Sequence, residues 1–141
     1  MSNNPIAHLT RRYRFSASHR LHSNQLSEDE NWRVYGKCNN DFGHGHNYHL
    51  EVTVAGPVDA VTGMVVNPAD LDTVVRQEVL GPFDHTNLNL DSPCFRDLVP
   101  TSENLLLEIA GRLSAHWTGP GRLVKVKLQE TGKNFFEYQY L

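Results

Sequence analysis

At 141 residues, with 39% hydrophobic and 21% charged residues, the chain has the make-up of a soluble globular protein with an ordinary core. A formal net charge of −3 and a sequence pI near 6.2 exclude the global positive field that holds nucleic acid or an anionic membrane. No apolar run approaches the roughly 18 residues of a membrane span, so neither a nucleic acid nor a membrane is an expected partner.

The segment Met1 to Pro5 is polar and lacks the charged-then-apolar layout of a signal peptide. Residues 8–17 alternate as a first strand. A polar segment, about 22–43, reads as an ordered functional loop anchored by Trp32, Val34 and Tyr35. Alternation resumes at His44, with His46, Tyr48, Leu50, Val52 and Val54 on one parity, until Gly56 and Pro57 stop the second strand. Asn67 is the expected N-cap of a first helix, with Pro68 at its first position and Asp70 in its first turn. Leu71, Val74, Val75 and Val79 form its apolar stripe, and Gly81-Pro82 is the expected stop. Thr101 caps a second helix with the stripe Leu105, Leu106, Ile109, Ala110 and Leu113. Residues 122–131, with Val124, Val126 and Leu128 on one face, form a third strand, and the aromatic segment 134–141 a fourth.

That ββααββ order predicts an α+β fold, an antiparallel sheet with two helices on one face, and one domain spanning residues 1–141. The other sheet face is expected to need cover from another subunit, so oligomerisation follows. Two cysteines, Cys38 and Cys94, without a secretory signal point to free thiols and a cytoplasmic location.

The chemistry concentrates in four places. His44 and His46 project from one strand face, about 6.5–7 Å apart at the backbone, so both rings can converge on one ion. His19, at the end of the first strand, can supply a third ligand, and three imidazoles with one open position suit a catalytic zinc. His8, His22, His49 and His116 are read as surface or core residues without a metal role. Cys38 is either a fourth, thiolate ligand or a free thiol serving as base or nucleophile. The absence of a C-x2-C pair and the neighbouring Lys37, which favours a thiolate, support the second. Asp84 and His85 form an acid–imidazole pair that can move a proton. Glu130 ends an apolar strand face and needs a donor, either two N–H groups of a heterocycle or a lysine or arginine.

Taken together, FSASHRLHS (15–23), YGKCNNDFGHGHNY (35–48), DAVTGMVVN (59–67), DHTNLNLD (84–91), PTSEN (100–104) and KVKLQET (125–131) resemble the 6-pyruvoyltetrahydropterin synthases of the animal type. The resemblance implies a T-fold, or tunnelling fold, whose sheets form a barrel in a trimer, with two trimers making a homohexamer and active sites where subunits meet. It implies a carbon–oxygen lyase acting on 7,8-dihydroneopterin triphosphate, which releases triphosphate and yields 6-pyruvoyl-tetrahydropterin for tetrahydrobiopterin biosynthesis.

Carried over by position, His19, His44 and His46 would bind Zn2+, and Cys38 would be the general base in a relay with Asp84 and His85. Glu130 would hold the pterin ring, with Thr101, Glu103 and Thr131 as further pocket residues. Mg2+ accompanying the triphosphate is left open, and Arg20, Arg33, Lys37 and Lys133 are candidates for its binding by charge and location. Related bacterial enzymes make 6-carboxytetrahydropterin, with fewer residues between the cysteine and the H-x-H pair than the five found here. The remaining alternatives are that carboxy product and a non-catalytic, zinc-stabilised oligomerisation module.

Overall fold

The alternation read from residues 8–17 becomes part of a long strand, β1 (Ile6–His19), which pairs antiparallel with β2 (His44–Pro57) from Ile6 opposite Pro57 to His19 opposite His44. The structure is a computed structural model and describes residues 4–141; Met1 to Asn3, part of the polar N-terminus read above, lie outside the described residues. Between these strands runs helix α1 (Glu28–Tyr35), followed by a 3₁₀ turn over Gly36–Asn39. Helix α2 (Pro68–Val75) continues through a π turn (Arg76–Leu80) into the short α3 (Gly81–Phe83). Then come β3 (Thr86–Asn87), the single turn α4 (Leu88–Asp91), the long α5 (Ser102–His116), β4 (Arg122–Gln129) and β5 (Phe135–Gln139).

The sheet order is β3-β1-β2-β4-β5. Helices α2 and α5 share one core with its inner face. Leu71, Val75 and Val79 of the first helical run, and Leu105, Ile109 and Leu113 of α5, are fully buried with Tyr48, Leu50, Val52, Val126 and Leu128. Each such side chain contributes about 1.5–3 kcal/mol by leaving water. Both expected caps form: Asn67 accepts from the Ala69 amide at 3.0 Å, and Thr101 from the Asn104 amide at 3.2 Å.

Several expectations are corrected. The polar loop contains helix α1, begun by a capping box in which Ser27 and Glu30 satisfy each other's amides at 3.1 Å. Trp32 and Val34, each 59% exposed, do not anchor it; the buried Asn31 does. Gly81-Pro82 does not stop the helix, because Pro82 begins a new turn where its missing N–H costs nothing. The sheet is not wholly antiparallel, since β3 pairs parallel with β1 at Ala17 and Ser18. A register shift in the β2–β4 pairing between Thr53 and Val54 sets Val54 opposite Leu123, so Leu123 and not Val124 packs against the core.

The outer sheet face is mixed but largely polar along β1: His8, Thr10, Arg12 and Arg14 point away from the core, Arg12 approaches Glu51 at 3.5 Å, and Ile6 and Phe135 are exposed. Among the described residues, no helix is long and apolar enough to cross a membrane.

Candidate active site

The end of the β1–β2 pair builds the site. Side chains alternate along a strand, so Phe15, Ala17 and His19 share the inner face of β1, while His44, His46 and Tyr48 share that of β2. With His19 opposite His44 and Ala17 opposite His46, three imidazoles meet, their ring centroids 4.7–4.9 Å apart and their planes steeply inclined. Gly43 permits the approach of the chain entering β2. Its φ is +67°, and a Cβ there would collide with the His19 carbonyl.

The donor chemistry fits a metal. His19 Nδ1 lies 2.8 Å from the Pro100 carbonyl, which can only accept, so Nδ1 carries the proton and Nε2 presents its lone pair inward. Burial lowers the His19 pKa, with the two neighbouring imidazoles acting in the same sense against the Pro100 carbonyl and Glu130. Burial also lowers that of His46. Both rings are thereby held neutral, as ligands must be. The Nε2 atoms of His19 and His46 stand 3.2 Å apart. Tetrahedral donors about 2.0–2.1 Å from zinc stand about 3.3–3.4 Å from each other, so the spacing suits one ion. Among the described residues, His19, His44 and His46 alone form a set of such donors within 4.8 Å of one another.

Cys38 stands beside this set. Its Sγ is 3.8 Å from His44 Nε2, and the thiol is half-buried at the end of the 3₁₀ turn. Burial and then the Glu130 carboxylate push its pKa up. The expected help from Lys37 is not seen, because that side chain is exposed and does not contribute to the shift.

Glu130, one residue beyond β4, continues the inward parity of Val126 and Leu128. Its Oε2 accepts from Ser102 Oγ at the start of α5, and no lysine or arginine pairs with it among the described residues. A carboxylate has about four lone-pair sites, so one hydroxyl leaves Glu130 able to receive two further N–H groups. Ser102 escaped the sequence reading although it lies within PTSEN, and so did Tyr48. Among the described residues the buried Tyr48 hydroxyl has no hydrogen-bond partner, and its ring stacks on Phe15 and meets His46 edge-on. Burial, and secondarily Glu130, push its phenol up, with Ser102 acting the other way.

The other expected pocket residues are differently employed. Thr101 caps α5, Thr131 closes a turn by accepting from the Lys133 amide at 3.1 Å, and Glu103 is exposed. Asp84 and His85 form a pair, with Asp84 Oδ2 3.6 Å from His85 Nε2, at the outer edge of β1. There Asp84 accepts from the Ser16 amide at 2.8 Å, and the His85 amide donates to the Ser16 carbonyl at 2.6 Å, with a left-handed φ of +59° at His85. His85 is exposed and lines an open depression with Ser16, Ser18, Asn47 and Asn87, and His46 of the three-histidine set also borders it. Among the described residues, nothing joins Asp84 or His85 to Cys38.

Comparison with known proteins agrees with these features. The family model described as 6-pyruvoyl tetrahydropterin synthase matches residues 8–140. The 6-pyruvoyl tetrahydrobiopterin synthase of Drosophila melanogaster is 47% identical over 139 residues, covering 99% of this chain and 83% of its own. That of Homo sapiens is 47% identical over 133 residues, covering 94% and 91%. The solved 6-pyruvoyl tetrahydropterin synthase of Caenorhabditis elegans superposes with a TM-score of 0.94 at 42% identity over the whole of both chains, in keeping with the expected T-fold. A match of that extent, in sequence and in fold, places the chain in the 6-pyruvoyl tetrahydropterin synthase family.

Proposed function

We propose that the chain is a zinc-dependent lyase that converts 7,8-dihydroneopterin triphosphate into 6-pyruvoyl-tetrahydropterin and inorganic triphosphate. One observation carries this reading: three imidazoles converge at a point flanked by a thiol and by a carboxylate that has no cationic partner among the described residues. The names of the relatives supply the substrate class.

His19, His44 and His46 would hold zinc, with the Pro100 carbonyl fixing the His19 tautomer. When bound, zinc supplies the positive charge that acidifies the substrate side chain and opposes the upward push on the Cys38 thiol. Glu130 receives the N–H edge of the pterin while Ser102 steadies its second oxygen. Cys38 removes a proton from the side-chain carbon. One side-chain carbinol is oxidised as the ring N5=C6 bond is reduced, and the other reaches the carbonyl level as the carbon that loses triphosphate becomes a methyl group, so no external oxidant or reductant is consumed. Incubation with dihydroneopterin triphosphate and identification of the pterin product tests the reading: 6-pyruvoyl-tetrahydropterin is expected. Formation of 6-carboxytetrahydropterin, or no turnover by the zinc-loaded protein, would sink it.

The position of Asp84 and His85 adds a second expectation. Among the described residues no contact joins them to the Cys38 of their own chain, so they would act in the site of a neighbouring copy, where His85 exchanges a proton with the second side-chain carbon. Cys38→Ala and His85→Ala proteins, each inactive alone, should regain about a quarter of parental activity when unfolded and reassembled together, as random mixing leaves that share of sites intact. A mixture that stays inactive would mean that each chain builds its own relay.

A further inference from the structure

The four residues after the ligand His19 belong to no helix or strand, yet their backbone is closely paired. Arg20 is held on both sides by Asn89, whose Oδ1 accepts its amide at 2.7 Å and whose Nδ2 donates to its carbonyl at 2.9 Å. Ser23 is held in the same way by the buried Asn31, at 2.8 and 2.9 Å. Between them, the Leu21 carbonyl accepts from Asn39 Nδ2 at 2.8 Å. Three asparagine amides thus do for residues 20–23 what a neighbouring strand would do, and a segment that would otherwise fray becomes a fixed rail.

The Cys38 turn hangs on that rail. The Leu21 amide donates to the Cys38 carbonyl at 2.8 Å, and Arg20 Nε donates to the Asn39 carbonyl at 3.1 Å. The second Asn39 Nδ2 proton points to His22 Nδ1 at 2.9 Å. Among the described residues the thiol has one hydrogen-bonding contact, at 3.8 Å, so its place is set by its backbone. We infer that Asn39 is a positioning residue: its amide locks the Cys38 turn to the rail that continues from His19, and thereby sets the distance between the thiol and the three imidazoles. The inference rests on the reading of Cys38 as the proton-abstracting group. A general base works only within about 2.6–3.2 Å of its proton's carrier or through one water, so a small drift of this turn is felt in turnover and not in substrate binding.

The test uses the full zinc-loaded chain with Asn39→Ala and the isosteric Asn39→Asp, whose carboxylate cannot donate to the Leu21 carbonyl. Both should lower kcat at least tenfold with KM and zinc content within twofold of the parent. The rate of Cys38 alkylation by iodoacetamide, followed by peptide mass mapping, should change at least threefold while that of Cys94 does not. His22→Ala, which spares the bond to Leu21, should lose less than threefold in kcat. Parental kcat and parental Cys38 alkylation in Asn39→Asp would overturn the inference, as would a kcat loss that tracks zinc loss. If Asn39→Ala does not fold, Asn39→Asp decides alone. If the parent itself does not turn over dihydroneopterin triphosphate, the proposed activity fails, and the alkylation comparison still reports on Asn39.

Discussion

Cys38→Ala is expected to lower turnover by about 10²–10⁴-fold while the protein retains one zinc per chain. The two halves of that result have separate causes. The thiol stands outside the set of nitrogens that face one another, so its removal leaves the donors His19, His44 and His46 where they are. Among the described residues it also frees no buried partner, since its one polar contact there is the long approach to His44 Nε2. Turnover falls because, among the described residues, the other groups beside the cluster do not suit its part: the Tyr48 phenol is pushed further from ionisation, and Glu130 already accepts from Ser102 and in the proposed reading also holds the ring. Steady-state kinetics and metal analysis on the same sample check both halves. Loss of zinc with the thiol would mean that sulfur is a ligand.

Glu130→Ala is expected to weaken binding of dihydroneopterin by about 10²–10⁴-fold with zinc retained. Two hydrogen bonds to a carboxylate contribute about 1.5–3 kcal/mol each, and both are lost together. The carboxylate also raises the pKa values of His19 and His46, so its removal leaves those rings neutral and fit to bind metal. Calorimetric titration with the unphosphorylated pterin isolates the ring contact from the triphosphate. An unchanged affinity would remove Glu130 from the site.

Much of this centre is legible from the chain because it rests on strand parity. The two-residue spacing of His44 and His46 implies a shared face, and the continuation of Val126 and Leu128 to Glu130 implies an inward carboxylate. Long-range pairings are what such patterns do not carry. The partner of Glu130 is Ser102, twenty-eight positions away, and the partner of His19 is the Pro100 carbonyl, which has no side-chain signature. Lys37 adjoins Cys38 in sequence, yet it is burial and Glu130 that act on the thiol. The two-residue strand β3 is too short for any period, and α1 hides behind exposed Trp32 and Val34, although Ser27 and Glu30 spell its capping box. The largely polar outer face along β1 was readable: His8, Thr10, Arg12 and Arg14 alternate with Leu9, Arg11 and Tyr13, and Arg11 is inward only because Asp72 receives its guanidinium at 2.7 and 3.1 Å. The proposed assembly is therefore argued from Asp84 and His85, which have no contact with Cys38 among the described residues.

X-ray absorption at the zinc edge, on the loaded wild-type protein without substrate, tests the central claim most directly. Three imidazole nitrogens and a light fourth neighbour, with no sulfur at about 2.3 Å, are the expected result for a site held by His19, His44 and His46 with Cys38 left free. A sulfur neighbour that disappears in Cys38→Ala would contradict it and turn the centre into a closed structural site.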